Sequence, residues 1–136
     1  MTDKPRAQTT RTILVIDDDP TIRMLLRVRL EKAGYAVHES HEGGHGLVTA
    51  RQKEFALAIV DLYMPGQEGL ETILALRREI PTMKLIAISG GSGYQNLMSA
   101  AKAFGADLTI HKPLDLDQLL NSVTTLIGTH SSPYHE

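Results

Sequence analysis

The chain has 136 residues, 42% hydrophobic and 22% charged, a composition that fits one globular domain and leaves no room for a second. A net charge of −2 with no Lys/Arg-rich block argues against nucleic acid as the principal partner, and the lack of cysteine excludes disulfide and thiolate chemistry. No apolar run approaches the roughly 18 residues that span a bilayer, and residues 1–10 lack an apolar signal segment, so a soluble cytoplasmic protein without a membrane partner is expected.

Taken in order, residues 1–10 read as a disordered arm, residues 11–127 as the folded domain, and residues 128–136, with Ser131-Ser132-Pro133, as a frayed tail. A first strand over residues 13–16 runs into Asp17-Asp18-Asp19. Asp19-Pro20 then opens a helix, Asp as N-cap and Pro in the first turn, with Ile22, Leu25, Leu26, Leu30 and Ala33 at amphipathic spacing and Gly34 as the stop. Residues 36–40 form a second strand, and residues 43–53 a weaker helix carrying Leu47, Val48 and Ala50. Leu57-Ala58-Ile59-Val60-Asp61 is apolar up to its terminal acid and is followed by Leu62-Tyr63-Met64-Pro65-Gly66, the mark of a central strand buried on both faces. A helix over about residues 69–78 places Leu70, Ile73 and Leu74 at helical spacing and ends in Arg77-Arg78, where cations suit the dipole. Residues 84–89 form a fourth strand, Gly90-Gly91-Ser92-Gly93 a loop, residues 95–104 a helix short of charge that Gly105 stops, and residues 107–111 a fifth strand. Asp115 caps a last helix with Leu119, Leu120, Val123, Leu126 and Ile127 on one face. This strict alternation predicts an α/β fold, a five-stranded parallel sheet doubly wound with five helices through right-handed crossovers.

Four of the strands end in reactive side chains: Asp17-Asp18-Asp19, Asp61, Ser89, and Lys112-Pro113. Ligands of open parallel sheets bind at the carboxyl ends of the strands, so these side chains are expected to converge. Like charges about 4 Å apart cost roughly 1–4 kcal/mol per pair, so Asp17, Asp18 and Asp61 together require a cation or a raised pKa. Oxygen ligands with room for waters suit Mg²⁺. A carboxylate beside Mg²⁺ can attack a phosphoryl group in line, with Lys112 and Ser89 supplying a cation and a hydroxyl donor to the phosphoryl oxygens. Asp19 reads chiefly as a helix cap. The glycine loop has no Gly-Lys-Ser/Thr ending and is a flexible connection, not a nucleotide cradle. His38, His41 and His45 are taken as surface residues and not a metal site, and His111 as a passive neighbour of the site. The helix over residues 95–104 is as well explained by ordinary packing as by a partner face.

These residues resemble a known family, the receiver domains of two-component response regulators. The resemblance covers about residues 11–127 and rests on Ile16-Asp17-Asp18-Asp19-Pro20, Val60-Asp61-Leu62-Tyr63-Met64-Pro65-Gly66, Ile88-Ser89-Gly90 and His111-Lys112-Pro113. It implies a flavodoxin-like sheet of order 2-1-3-4-5 and a stand-alone, CheY-like signalling module. It implies Asp61 as phosphoacceptor, and Mg²⁺ held by Asp18 directly, Asp17 partly through water, Asp61, and the backbone carbonyl of Tyr63. Ser89 would be the switch hydroxyl, Lys112 the cation that pairs with the phosphoryl group, and the Lys112–Pro113 peptide cis. The implied donor is the phosphohistidine of a sensor histidine kinase or histidine phosphotransfer protein. The effect would come through an unidentified downstream protein or onward transfer, from a monomer or phosphorylation-dependent dimer, without enzymatic activity beyond self-phosphorylation and autodephosphorylation. Two positions depart from the family pattern: Thr109 stands where an aromatic ring is usual, and Gly90 where Ala is usual. Tyr94 or Tyr63 is expected to take the aromatic role. A Mg²⁺-dependent phosphohydrolase of haloacid-dehalogenase type is the alternative, with Asp17 as nucleophile in an Asp17-x-Asp19 motif followed by Thr21. An FMN binder is disfavoured, because three carboxylates after the first strand would repel the cofactor phosphate.

Overall fold

The structure, a computed structural model, describes residues 11–62, 68–90 and 94–128, except for the side chains of Tyr94 and Gln95. Five strands, β1 (Thr12–Ile16), β2 (Ala36–Ser40), β3 (Leu57–Asp61), β4 (Lys84–Ser89) and β5 (Leu108–His111), alternate with five helices. The helices are α1 (Pro20–Lys32), α2 (Gly43–Gln52), α3 (Glu68–Glu79), α4 (Tyr94–Phe104) and α5 (Leu116–Ile127). All strand pairs are parallel, in the order β2-β1-β3-β4-β5, so the expected doubly wound architecture holds.

The period of two along β1 sorts the core into two layers. Leu14 and Ile16 join Ala50 of α2, Leu70, Ile73 and Leu76 of α3 and Ala101 of α4 on one side of the sheet. Ile13 and Val15 join Leu26 and Leu30 of α1 and Leu119, Val123 and Ile127 of α5 on the other. Every residue of β3 is buried, as its unbroken apolar run requires. Each large aliphatic side chain buried there contributes about 1.5–3 kcal/mol, which fixes the strand that carries Asp61.

The caps are local chemistry. Asp19 and Asp115 accept backbone N–H bonds from the first turns of α1 and α5, the former from Thr21 and the latter from Asp117 and Gln118. Past α1 and α4, Gly34 and Gly105 turn the chain at φ 103° and 125°, a conformation costly for any residue with a Cβ.

The structure departs from the sequence reading in packing and at element ends. Leu25 and Ala33 of the expected apolar stripe face solvent, Leu25 at 43% exposure, because Leu26 and Leu30, with half-buried Ile22 packed against the same layer, fill the space α1 covers. Val48 is also exposed, and α2 instead buries Gly43, Gly46 and Ala50. β5 begins at Leu108 and not at Asp107, whose carboxylate turns back to accept the Leu85 N–H. α3 begins at Glu68 and α4 at Tyr94, each one residue earlier than read.

Candidate functional site

Register brings the strand ends together. Ile16 pairs with Val60, so Asp17 follows level with Asp61. Asp61 pairs with Ile88, which puts Ser89 one step beyond, and Ser89 pairs with His111, next to Lys112. A parallel sheet converts these four positions, far apart in sequence, into neighbours.

Asp17 and Asp61 are buried, at 1% and 2% exposure, whereas Asp18 faces solvent. One carboxylate oxygen from each of Asp17, Asp18 and Asp61 lies within 4.8 Å of the other two. Lys112 Nζ stands 3.4 Å from Asp61 Oδ2 and 4.0 Å from Asp17 Oδ2. Asp17 Oδ1 accepts the Asp19 N–H at 2.9 Å, which closes a tight turn. Its other oxygen, Oδ2, is buried without a hydrogen-bond partner, as is the hydroxyl of Ser89. Burial pushes the Asp17 carboxyl up to about 6; the charges of Asp61 and Asp18 add to the rise, while the Asp19 N–H and Lys112 oppose it. Among the described residues Lys112 is the cation set against these carboxylates, and three acids outnumber it, a shortage of positive charge.

That shortage is the fit test for a divalent cation. The donors are all carboxylate oxygens, two buried and one open to water, and one buried oxygen has no hydrogen bond in the protein, an arrangement suited to a hard ion that keeps several waters. Asp17, Asp18 and Asp61 fit Mg²⁺. The carbonyl of Tyr63, the fourth expected ligand, lies outside the described residues, as does the side chain of Tyr94. The Lys112–Pro113 peptide is cis, as the resemblance implied. A Cβ on Gly90 would lie 3.0 Å from Lys112 Cβ, so glycine here lets the lysine stem pass close to the end of β4.

The remaining candidates are placed as follows. Asp19 accepts the Thr21 N–H and is a cap. His38 Nε2 accepts from Lys53 at 2.9 Å, and burial lowers its pKa, whereas His45 Nδ1 lies 2.9 Å from Ser40 Oγ. The His41 and His45 rings are 5.7 Å apart, and among the described residues only the three aspartates form a group of three or more metal-ligating side chains. Sequence reasoning passed over Arg23, whose Nη1 donates to the Asp17 carbonyl at 2.6 Å. On a helix, its spacing looks like that of any solvated arginine.

A family model described as the response regulator receiver domain matches residues 13–124. Protein PilH of Pseudomonas aeruginosa is 30% identical over 117 residues, covering 85% of this chain and 97% of that protein. The DNA-binding dual master transcriptional regulator RpaA of Synechocystis sp. is 34% identical over 122 residues, covering 85% of this chain. This chain spans 48% of RpaA, 34% of PfeR of Pseudomonas aeruginosa and 50% of ResD of Bacillus subtilis, half or less of each. Among solved structures, a CheY-like receiver domain protein from Methanospirillum hungatei JF-1 aligns with a TM-score of 0.80 and 31% identity, over 86% of this chain and 93% of that one. Response regulator TrrA from Thermotoga maritima, in complex with Mg(2+)-BeF, aligns with a TM-score of 0.77 and 31% identity, over 86% and 99%. The comparisons give no support to the phosphohydrolase alternative. No helix among the described residues is long and apolar enough to cross a membrane. With the family model running from the second residue of β1 into α5, and so across every strand end that feeds the acid cluster, the chain belongs to the response regulator receiver domain family of two-component signalling.

Proposed function

We propose that Asp61 is the phosphoacceptor of a phosphorylation-dependent switch, with the phosphohistidine of a sensor histidine kinase or histidine phosphotransfer protein as donor. A carboxylate oxygen of Asp61 attacks phosphorus in line, the P–N bond to the donor imidazole breaks, and the product is an aspartyl phosphate. Asp17, Asp18 and Asp61 hold Mg²⁺, with the Tyr63 carbonyl assigned as a further ligand. Bound there, the ion supplies neutralisation of charge on the phosphoryl oxygens. Lys112, now against Asp61, is close enough to pair with a phosphoryl oxygen, and the Ser89 hydroxyl, without a hydrogen-bond partner of its own, is available to donate to another. The observation that carries this reading is the pairing of a buried Asp61 with Lys112 beside a buried, unpartnered oxygen of Asp17.

The receiver unit is assigned to residues 11–127, in the cytoplasm, as a monomer or phosphorylation-dependent dimer. Its effect comes through binding a downstream protein or passing the phosphoryl group on, and its own chemistry is limited to self-phosphorylation and autodephosphorylation. Half-buried Thr109 pairs with buried Ala87 and cannot provide the sweep of a ring, so the aromatic role is assigned to Tyr94 or Tyr63. Intact-mass analysis after incubation with Mg²⁺ and acetyl phosphate tests the assignment. A phosphoryl adduct is expected on the wild type and not on Asp61→Asn; an adduct on both proteins, or on neither, overturns it.

A further inference from the structure

At the end of β1 the chain turns away from the sheet, and the Asp17 carbonyl leaves the ladder. The Asp17 N–H still donates to Ser40 O at 3.1 Å, but a strand-end carbonyl at a buried residue needs a donor from elsewhere. Arg23, one turn into α1, supplies it. Helical side chains lean toward the N-terminus of their helix, which here aims Arg23 back at the mouth of β1. Its Nη1 donates to Asp17 O at 2.6 Å and its Nε to Glu39 Oε1 of β2 at 3.0 Å. Glu39 is fixed in turn through its other oxygen by Arg27, whose Nη1 also reaches Glu31. The Arg23 side chain is only 17% exposed, so this is no loose surface pair. Asp17 O, held by Arg23, and Asp17 Oδ1, holding the Asp19 N–H, clamp the turn from both sides, and Asp18 sits between them.

We infer that Arg23 is a positioning residue: by clamping the Asp17–Asp18 peptide it aims the two carboxylates at a shared ion and raises the affinity of the site for Mg²⁺. The inference rests on the reading above that these carboxylates hold the ion. Geometry and charge make opposite demands here. A guanidinium close to a cation site weakens cation binding through its charge alone, whereas a clamp on the ligand-bearing turn strengthens it through preorganisation. Lysine cannot replace the fork, because a single ammonium lacks the planar pair of donors that spans Asp17 O and Glu39.

Isothermal calorimetry of Mg²⁺ binding to the full chain separates the two. Arg23→Met is expected to weaken Mg²⁺ binding roughly tenfold, the lower end of the range for groups that orient metal ligands. Arg23→Lys, which returns the charge without the fork, is expected to stay weaker than wild type. Unchanged or tighter binding by Arg23→Met overturns the inference, and full recovery by Arg23→Lys overturns the role of the fork. Glu39→Gln, which loosens Arg23 without removing it, should weaken binding by a smaller factor and serves if Arg23→Met does not fold; wild-type affinity in Glu39→Gln counts against the clamp. A wild-type protein that binds Mg²⁺ but takes no phosphoryl group on Asp61 overturns the phosphoacceptor reading alone. One that binds no Mg²⁺ overturns both.

Discussion

Asp17 is the residue at which stability and function pull in opposite directions. Its carboxyl, raised by burial to about 6 from an ordinary 3.8, keeps its proton in the folded chain after the unfolded chain has released it. The metal-free protein is therefore expected to lose stability as pH rises from about 4 to about 6, by about 3 kcal/mol if Asp17 acts alone, with the full cost present above that window. On the proposed reading Mg²⁺ takes the place of the proton, so the gain in melting temperature on adding Mg²⁺ should be small near pH 5 and large near pH 7.5. Thermal melts at both pH values, with Mg²⁺ and with chelator, check this. Asp17→Asn should remove this loss of stability between about pH 4 and pH 6 and weaken the response to Mg²⁺. The acids, serine and lysine of the site were legible in the sequence because each follows a strand-like run, and a parallel sheet gathers the carboxyl ends of its strands. The Arg23 clamp was not, because its partners Asp17 O and Glu39 meet it only once β1 and β2 lie side by side.

Among the elements, the helices were read correctly where local chemistry decides, at Asp19, Asp115, Gly34 and Gly105, and less well where neighbours decide. The glycines of α2 and α3 belong to the second kind. A Cβ on Gly43 would sit 2.0 Å from Thr72 Oγ1, and one on Gly46 would sit 2.5 Å from Ile16 Cδ1, so α2 lies against α3 and β1 at a distance that a larger residue reaches only if those side chains shift. A glycine inside a helical stretch looks like a defect in sequence; only the neighbouring surface turns it into a fit. Gly69 is the case that touches function. Its Cβ would meet Leu62 Cα at 2.6 Å and Asp61 O at 2.8 Å, backbone atoms that cannot swing aside. Gly69→Ala should cost about 1–3 kcal/mol and slow phosphoryl uptake by shifting Asp61. Gly44→Ala, which meets only the tip of Glu42 at 3.1 Å, should change stability by no more than about 0.5 kcal/mol. Urea unfolding and the rate of labelling by acetyl phosphate distinguish them.

For the whole molecule, the sheet order and the clustering of strand ends followed from the alternation of elements and the resemblance, while the ties across the opposite edge did not. Arg77 looked like a cation placed for the dipole of α3. In the structure it donates to the carbonyls of Pro81, Met83 and Gly105 and to Asp107, which also takes the Leu85 N–H. One guanidinium thus joins α3, the approach to β4 and the turn from α4 into β5. Arg77→Met would take their donor from the part-buried carbonyls of Met83 and Gly105, at a cost of about 1–3 kcal/mol, whereas exposed Arg78→Met should fall within about 0.5 kcal/mol. Denaturant midpoints of the two variants provide the check. The sheet itself ends in short edges, five residues in β2 and four in β5. A guest strand would find few rungs to add to, and on β2 it would meet Glu39, tied to two arginines. The β2 edge thus discourages edge-to-edge aggregation by charge as well as by length.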